Sequence, residues 1–189
     1  ETLGVARLVP LGYADSGMAG TPRNSDPAAF CNVDVEAAAA RFAAVLEEES
    51  ADVVTIYDPN GGYGHPDHVQ VHRVGARAQE LTAHPSVYEA AMNRDHIRRL
   101  LAAAPEVSPD AAPPDLDTFG LPEAEITTTI DVSATIPAKR AAMLAHASQV
   151  GDFGPMLAMT PEQLASAFGL EWFRRRGAEP ALREHALPL

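Results

Sequence analysis

The chain of 189 residues is 46% apolar and 21% charged, with a formal net charge of −12, and that length and apolar share suit one globular core. The acidic balance argues against a nucleic-acid partner, which requires a basic face, and no apolar run is long enough to span a bilayer. Cys31 is alone, so no intrachain disulfide can form, and with no visible signal peptide the simplest localisation is the reducing cytoplasm.

Residues 8–11 read as a short strand, and residues 12–34 as a long loop rich in glycine, proline and asparagine. Loops of that length are usually functional or disordered. Asp34 is a good N-cap for an alanine-rich helix to Glu49, with Val35, Ala39, Phe42 and Leu46 on one face. Val53, Val54 and Ile56 form the short β-branched run expected of a strand covered on both faces, and the turn formers from Asp58 to Gly62 stop it. Pro66 suits the first position of a helix, which puts His65 at the N-cap and Asp67 and His68 in the first turn. That helix continues through Val71, Val74, Ala78 and Leu81.

Further along, residues 87–92 read as a strand and 95–104 as a helix on which His96 is structural or solvated. The proline-rich residues 105–124 read as a long loop, and 126–130 as a strand with one covered face. A helix over residues 137–149 places Met143, Leu144 and Ala147 inward. His146 on it is read two ways, as reaching the site or as a buried, hydrogen-bonded histidine. Thr160 caps a short helix to Phe168, residues 170–174 make a final strand, and Arg174, Arg175 and Arg176 read as a solvated basic tail. The alternation of strands and helices predicts an α/β fold with a mostly parallel sheet.

His65, Asp67 and His68 therefore lie beyond the carboxyl end of a strand, where open α/β sheets bind ligands. A helix N-terminus there favours an anionic Asp67 and a developing oxyanion. His68 is the best metal-ligand candidate, since a neutral imidazole suits zinc; its alternative role is a hydrogen-bonded cap. His72 is one turn further on the same face and two histidines four apart can chelate a metal, but the intervening glutamate base of that motif is absent.

The run YDPNGGYGHPDH at residues 57–68, preceded by GYADSGMAGTP at 12–22 and followed by KRAAMLAHASQV at 139–150, resembles the zinc-dependent sugar N-deacetylases of the PIG-L or LmbE superfamily. Within it, the match is to the mycothiol-pathway deacetylases of actinobacteria. The resemblance covers most of the chain and implies a Rossmann-like three-layer fold. It implies that His68 is a ligand of one zinc ion, that His65 stabilises the tetrahedral oxyanion or acts as general acid, and that Asp67 holds His65 and tunes its protonation. Tyr63 would polarise the amide carbonyl, and Asp15 and Met18 would line the pocket of a small-molecule amino-sugar substrate. The family's early Ala-His-Pro-Asp-Asp-Glu motif is not found in residues 1–189. The expectation is therefore an N-terminally truncated single domain lacking its first strand and helix, with further zinc ligands and the aspartate base upstream of Glu1 and the piece alone inactive. The implied activity is removal of acetyl from an N-acetylglucosaminyl-inositol amide in mycothiol biosynthesis. The alternatives are a mycothiol S-conjugate amidase or another amide hydrolase, and a non-catalytic sugar- or partner-binding module.

Overall fold

The computed structural model describes residues 2–82, 85–103, 116, 119–146, 148, 151 and 154–188. They fall into two compact units, one of Leu11–Thr128 with Trp172–Leu189 and one of Glu1–Pro10 with Thr129–Glu171.

In the larger unit the Asp34 carboxylate accepts the Ala37 N–H and starts helix α1 (Val35–Glu48). Strand β1 (Val53–Tyr57) follows, then a helical turn α2 (Gly61–Gly64), helix α3 (Pro66–Leu81), strand β2 (Ser86–Ala91) and helix α4 (Arg94–Ala103). β1 and β2 pair in parallel, from Val53 opposite Ser86 to Tyr57 opposite Ala90. Val54, Ile56 and Val87 meet Ala38, Ala39, Ala43 and Leu46 of α1 and Val74 and Ala78 of α3 in one buried cluster. Small residues let the helices come close: a Cβ on Gly75 of α3 would stand 2.5 Å from Ile56 Cγ2. Removing this apolar surface from water is what holds α3, and with it the histidine turn, on the strand.

Two expectations about the sheet are corrected. Thr55, between buried Val54 and Ile56, is exposed, so β1 is covered on one face; threonine is a good strand former, but here it supplies the solvent side of an alternating pattern. The sheet is mixed, with order β1-β2-β4-β3, where β3 is Thr128–Asp131 and β4 is Leu170–Arg175. β4 runs antiparallel to β2, from Tyr88 opposite Arg175 to Ala91 opposite Trp172. The α/β class stands, but strand direction is dictated only where a crossover helix joins neighbours, as α3 joins β1 to β2. β4 reaches β2 from far along the chain, and no such unit sets its direction.

Residues 8–11 find no ladder partner among the described residues and are not a strand. The loop after them is ordered by its own polar groups. The Asn24 side chain donates to Ser16 O at 2.7 Å and accepts from Gly20 N–H, Asn32 donates to the carbonyls of Asn24 and Asp26, and Ala14 and Ala29 form a parallel bridge. Most of the expected loop at 105–124 lies outside the described residues; at its end, Glu123–Glu125 forms a 3-10 turn. Arg174, Arg175 and Arg176 are not a solvated tail: each is half-buried and donates to an acidic side chain of the sheet unit.

The smaller unit carries most of β3, helix α5 (Ile136–Ala145), the short α6 (Gly154–Leu157) and α7 (Pro161–Phe168). Thr160 and Gln163 close a reciprocal capping box on α7. Helix α5 stops at Ala145, with Leu144 exposed rather than inward, and Ala147 lies outside the described residues.

Candidate active site at the start of the histidine helix

The turn between β1 and α3 is shaped by a buried carboxylate and by glycines. Asp58 is fully buried, and its Oδ1 accepts the N–H groups of Asn60 at 3.0 Å and Gly62 at 2.8 Å. Gly61 sits at φ +66°, and a Cβ there would stand 2.7 Å from Val69 N and 2.9 Å from His68 Cβ. The turn therefore lies flush against the first turn of α3, and only glycine fits.

This packing sets two histidines in opposite tautomers. His65 is the N-cap of α3, and its Nδ1 accepts the Asp67 N–H at 3.2 Å. An accepting Nδ1 leaves the proton of the neutral ring on Nε2, so His65 offers a donor. His68 Nδ1 lies 3.2 Å from Gly61 O. A carbonyl can only accept, so this Nδ1 carries the proton and Nε2 keeps a lone pair, the form a metal ligand needs. The Tyr57 ring stacks on His68 with centroids 3.8 Å apart and planes 5° apart. Burial pushes the His68 imidazole below its usual value, opposed by the bond to Gly61, and so favours the neutral ring.

Asp67 reaches His65 through its main-chain N–H, while its carboxylate is taken by the loop. Ser16 donates to it twice, from its N–H at 3.0 Å and from its hydroxyl, and Ser16 Oγ in turn accepts the Cys31 N–H at 3.0 Å. Ser16 is fully buried. In the sequence its one signal is a hydroxyl next to the candidate Asp15. Asp15 is exposed, accepts from Gly17 N–H at 2.9 Å and pairs with Arg23 at 3.5 Å. One ligand atom each of Asp15, His65 and Asp67 lies within 4.8 Å of the others. Met18 is 48% exposed on the same loop. Tyr63 is 51% exposed between Gly62 and Gly64, both at positive φ, with its ring 6.3 Å from that of His65 and 5.1 Å from that of His68. A cavity of about 440 Å³ opens here between Asn60, Gly62, Tyr63, Val69 and Phe119.

Imidazole nitrogen and carboxylate oxygen are donors that suit zinc. His72, one turn further along α3, has its Nδ1 3.1 Å from Tyr57 O and 3.5 Å from Glu89. His96 packs against Trp172 with the rings tilted by 48°, and its buried Nε2 has no hydrogen-bond partner among the described residues. His146 lies in the smaller unit as the C-cap of α5 and is exposed, so it is not a buried histidine. No helix among the described residues is long and apolar enough to cross a membrane.

The strand–turn–helix thus presents two oppositely protonated histidines beside the half-buried carboxylate of Asp67, an arrangement suited to acid–base and metal chemistry. A model of the family described as PIG-L, GlcNAc-PI de-N-acetylase, matches residues 1–79. A deacetylase of Geodermatophilus obscurus, named for 1D-myo-inositol 2-acetamido-2-deoxy-alpha-D-glucopyranoside, is 40% identical over 92% of this chain and 67% of its own length. The chain belongs to this de-N-acetylase family. Relatives of the same name from Acidothermus cellulolyticus and Thermobispora bispora are 40% and 37% identical over 85% and 93% of the chain. The chain spans 58% to 67% of the length of these three relatives.

Proposed function

We propose that the intact protein hydrolyses the acetamide of an N-acetylglucosaminyl-inositol, releasing acetate and the free amine, with a zinc ion held in part by His68. The observation that carries this reading is the tautomer pair: His68 keeps an Nε2 lone pair while His65 keeps an Nε2 proton. Zinc, when bound, supplies a Lewis acid for the carbonyl and lowers the pKa of a coordinated water. His68 holds one ligand position. His65 donates its Nε2 proton toward the oxygen that gains charge or toward the departing nitrogen, as an oxyanion donor or general acid must.

Asp67, fixed by Ser16, keeps the capping N–H on His65 Nδ1 and so keeps His65 in the donor tautomer. Tyr63, on its glycine-flanked turn, brings a phenol to the carbonyl, and Asp15 and Met18 line the sugar side. The bound molecule is a neutral amino sugar. The test is acetate release from N-acetylglucosaminyl-inositol by the intact protein, with and without a chelator. Chelator-sensitive release restored by zinc supports the reading; no release from this substrate with zinc present overturns it.

A further inference from the structure

Residues outside the catalytic turn converge on it from below. His72 lies one helical turn past His68 and is 15% exposed at its side chain. Its Nδ1 is 3.1 Å from Tyr57 O and 3.5 Å from Glu89 Oε1. Both neighbours offer acceptor oxygens, and the Glu89 carboxylate itself accepts from two guanidinium groups, so Nδ1 carries the proton and donates it to Tyr57 O. Glu89, on β2, is 1% exposed. Arg174 reaches it at 2.6 and 2.8 Å, and Arg176 at 3.1 Å. Arg176 also donates to Gln79 of α3 at 3.0 Å.

A buried carboxylate with two cations is weak evidence for stability, because apolar residues of the same volume often serve as well or better. What such a cluster does supply is a single geometry. Here it fixes His72, and His72 fixes the Tyr57 carbonyl at the end of β1. The ring of the same Tyr57 is the surface on which His68 stacks. His68 and His72 thus bond carbonyls at the two ends of one short segment, Gly61 and Tyr57.

We propose that His72 and Glu89 are positioning residues for the His68 imidazole, acting through Tyr57. The inference rests on the reading of His68 as a zinc ligand. It assigns the charged cluster beneath α3 the task of holding His68 Nε2 in the direction the metal requires, as outer partners of ligating histidines do.

The experiment compares His72→Leu, His72→Asn and Glu89→Gln in the intact protein. Asparagine keeps a donor close to the Nδ1 position, and leucine removes it. Zinc affinity is read by competition with a chelating indicator, kcat and KM by acetate release, and the His68 ring protons by nitrogen-edited NMR of the metal-free protein. His72→Leu is expected to weaken zinc binding about 10- to 100-fold and to lower kcat more than it raises KM, with His72→Asn within about threefold of wild type. Glu89→Gln should fall between them and keeps the test available if His72→Leu does not fold. Folded His72→Leu and Glu89→Gln proteins with wild-type zinc affinity, kcat and His68 signals would reduce the cluster to scaffolding and overturn the proposal. If the wild-type protein neither binds zinc nor releases acetate, the functional reading fails separately. The His68 signals then decide: a lost Nδ1 proton in His72→Leu supports positioning, and an unchanged one contradicts it.

Discussion

Asp67 joins two segments that are distant in sequence, because Ser16 donates to its carboxylate from both main chain and side chain. A buried hydrogen bond to a charged group contributes about 1.5–3 kcal/mol. Ser16→Ala removes the hydroxyl donor and also strands the Cys31 N–H, so urea unfolding should show a loss of about 2 kcal/mol. A loss below about 0.5 kcal/mol would mean that the hydroxyl does not hold the aspartate. The imidazoles give a second residue-scale expectation. His68 and His96 are both held below the ordinary value of 6.5, chiefly by burial. The unfolded chain therefore binds these protons more readily than the folded one, and stability falls as pH drops through and below that value. Thermal unfolding of the metal-free protein should show a lower Tm at pH 5.5 than at 7.5, and His96→Phe, which removes the orphaned Nε2, should flatten the slope. An unchanged slope would remove His96 as a source of acid sensitivity.

At the scale of elements, the join between β1 and α3 decides where the histidines go. Gly61→Ala forces both a left-handed non-glycine residue and a collision with Val69 N and His68 Cβ. A left-handed non-glycine residue alone costs about 1–3 kcal/mol, so the variant should unfold earlier and lose zinc affinity together; wild-type values of both would show that the turn can shift freely. The element starts were legible in the sequence because their signals are local: Asp34, Pro66 and Thr160 each stand at a helix entry and cap it or open its first turn. His65, Asp67 and His68 were legible for the same reason. What was hidden depends on distant partners. Ser16 acquires its meaning 51 residues away at Asp67, and the arginines read as a tail acquire theirs at Glu89, 85 residues before Arg174. The sheet direction was hidden likewise, since a strand with no crossover helix to its neighbour can run either way.

Across the whole molecule, every residue assigned a role belongs to the unit of Leu11–Thr128 with Trp172–Leu189. The chain as a whole carries a net charge of −12, a balance that repels anions. The central claim is that two histidines of one helical turn divide the work, one holding metal and the other moving a proton. The most direct measurement is zinc content together with acetate release for His65→Ala and His68→Ala in the intact protein. The account predicts that His65→Ala keeps its zinc and loses about 10²- to 10⁴-fold in turnover, while His68→Ala loses the zinc. If His65→Ala loses the metal and His68→Ala retains it, the Asp15, His65 and Asp67 group holds the ion and the division of roles is wrong.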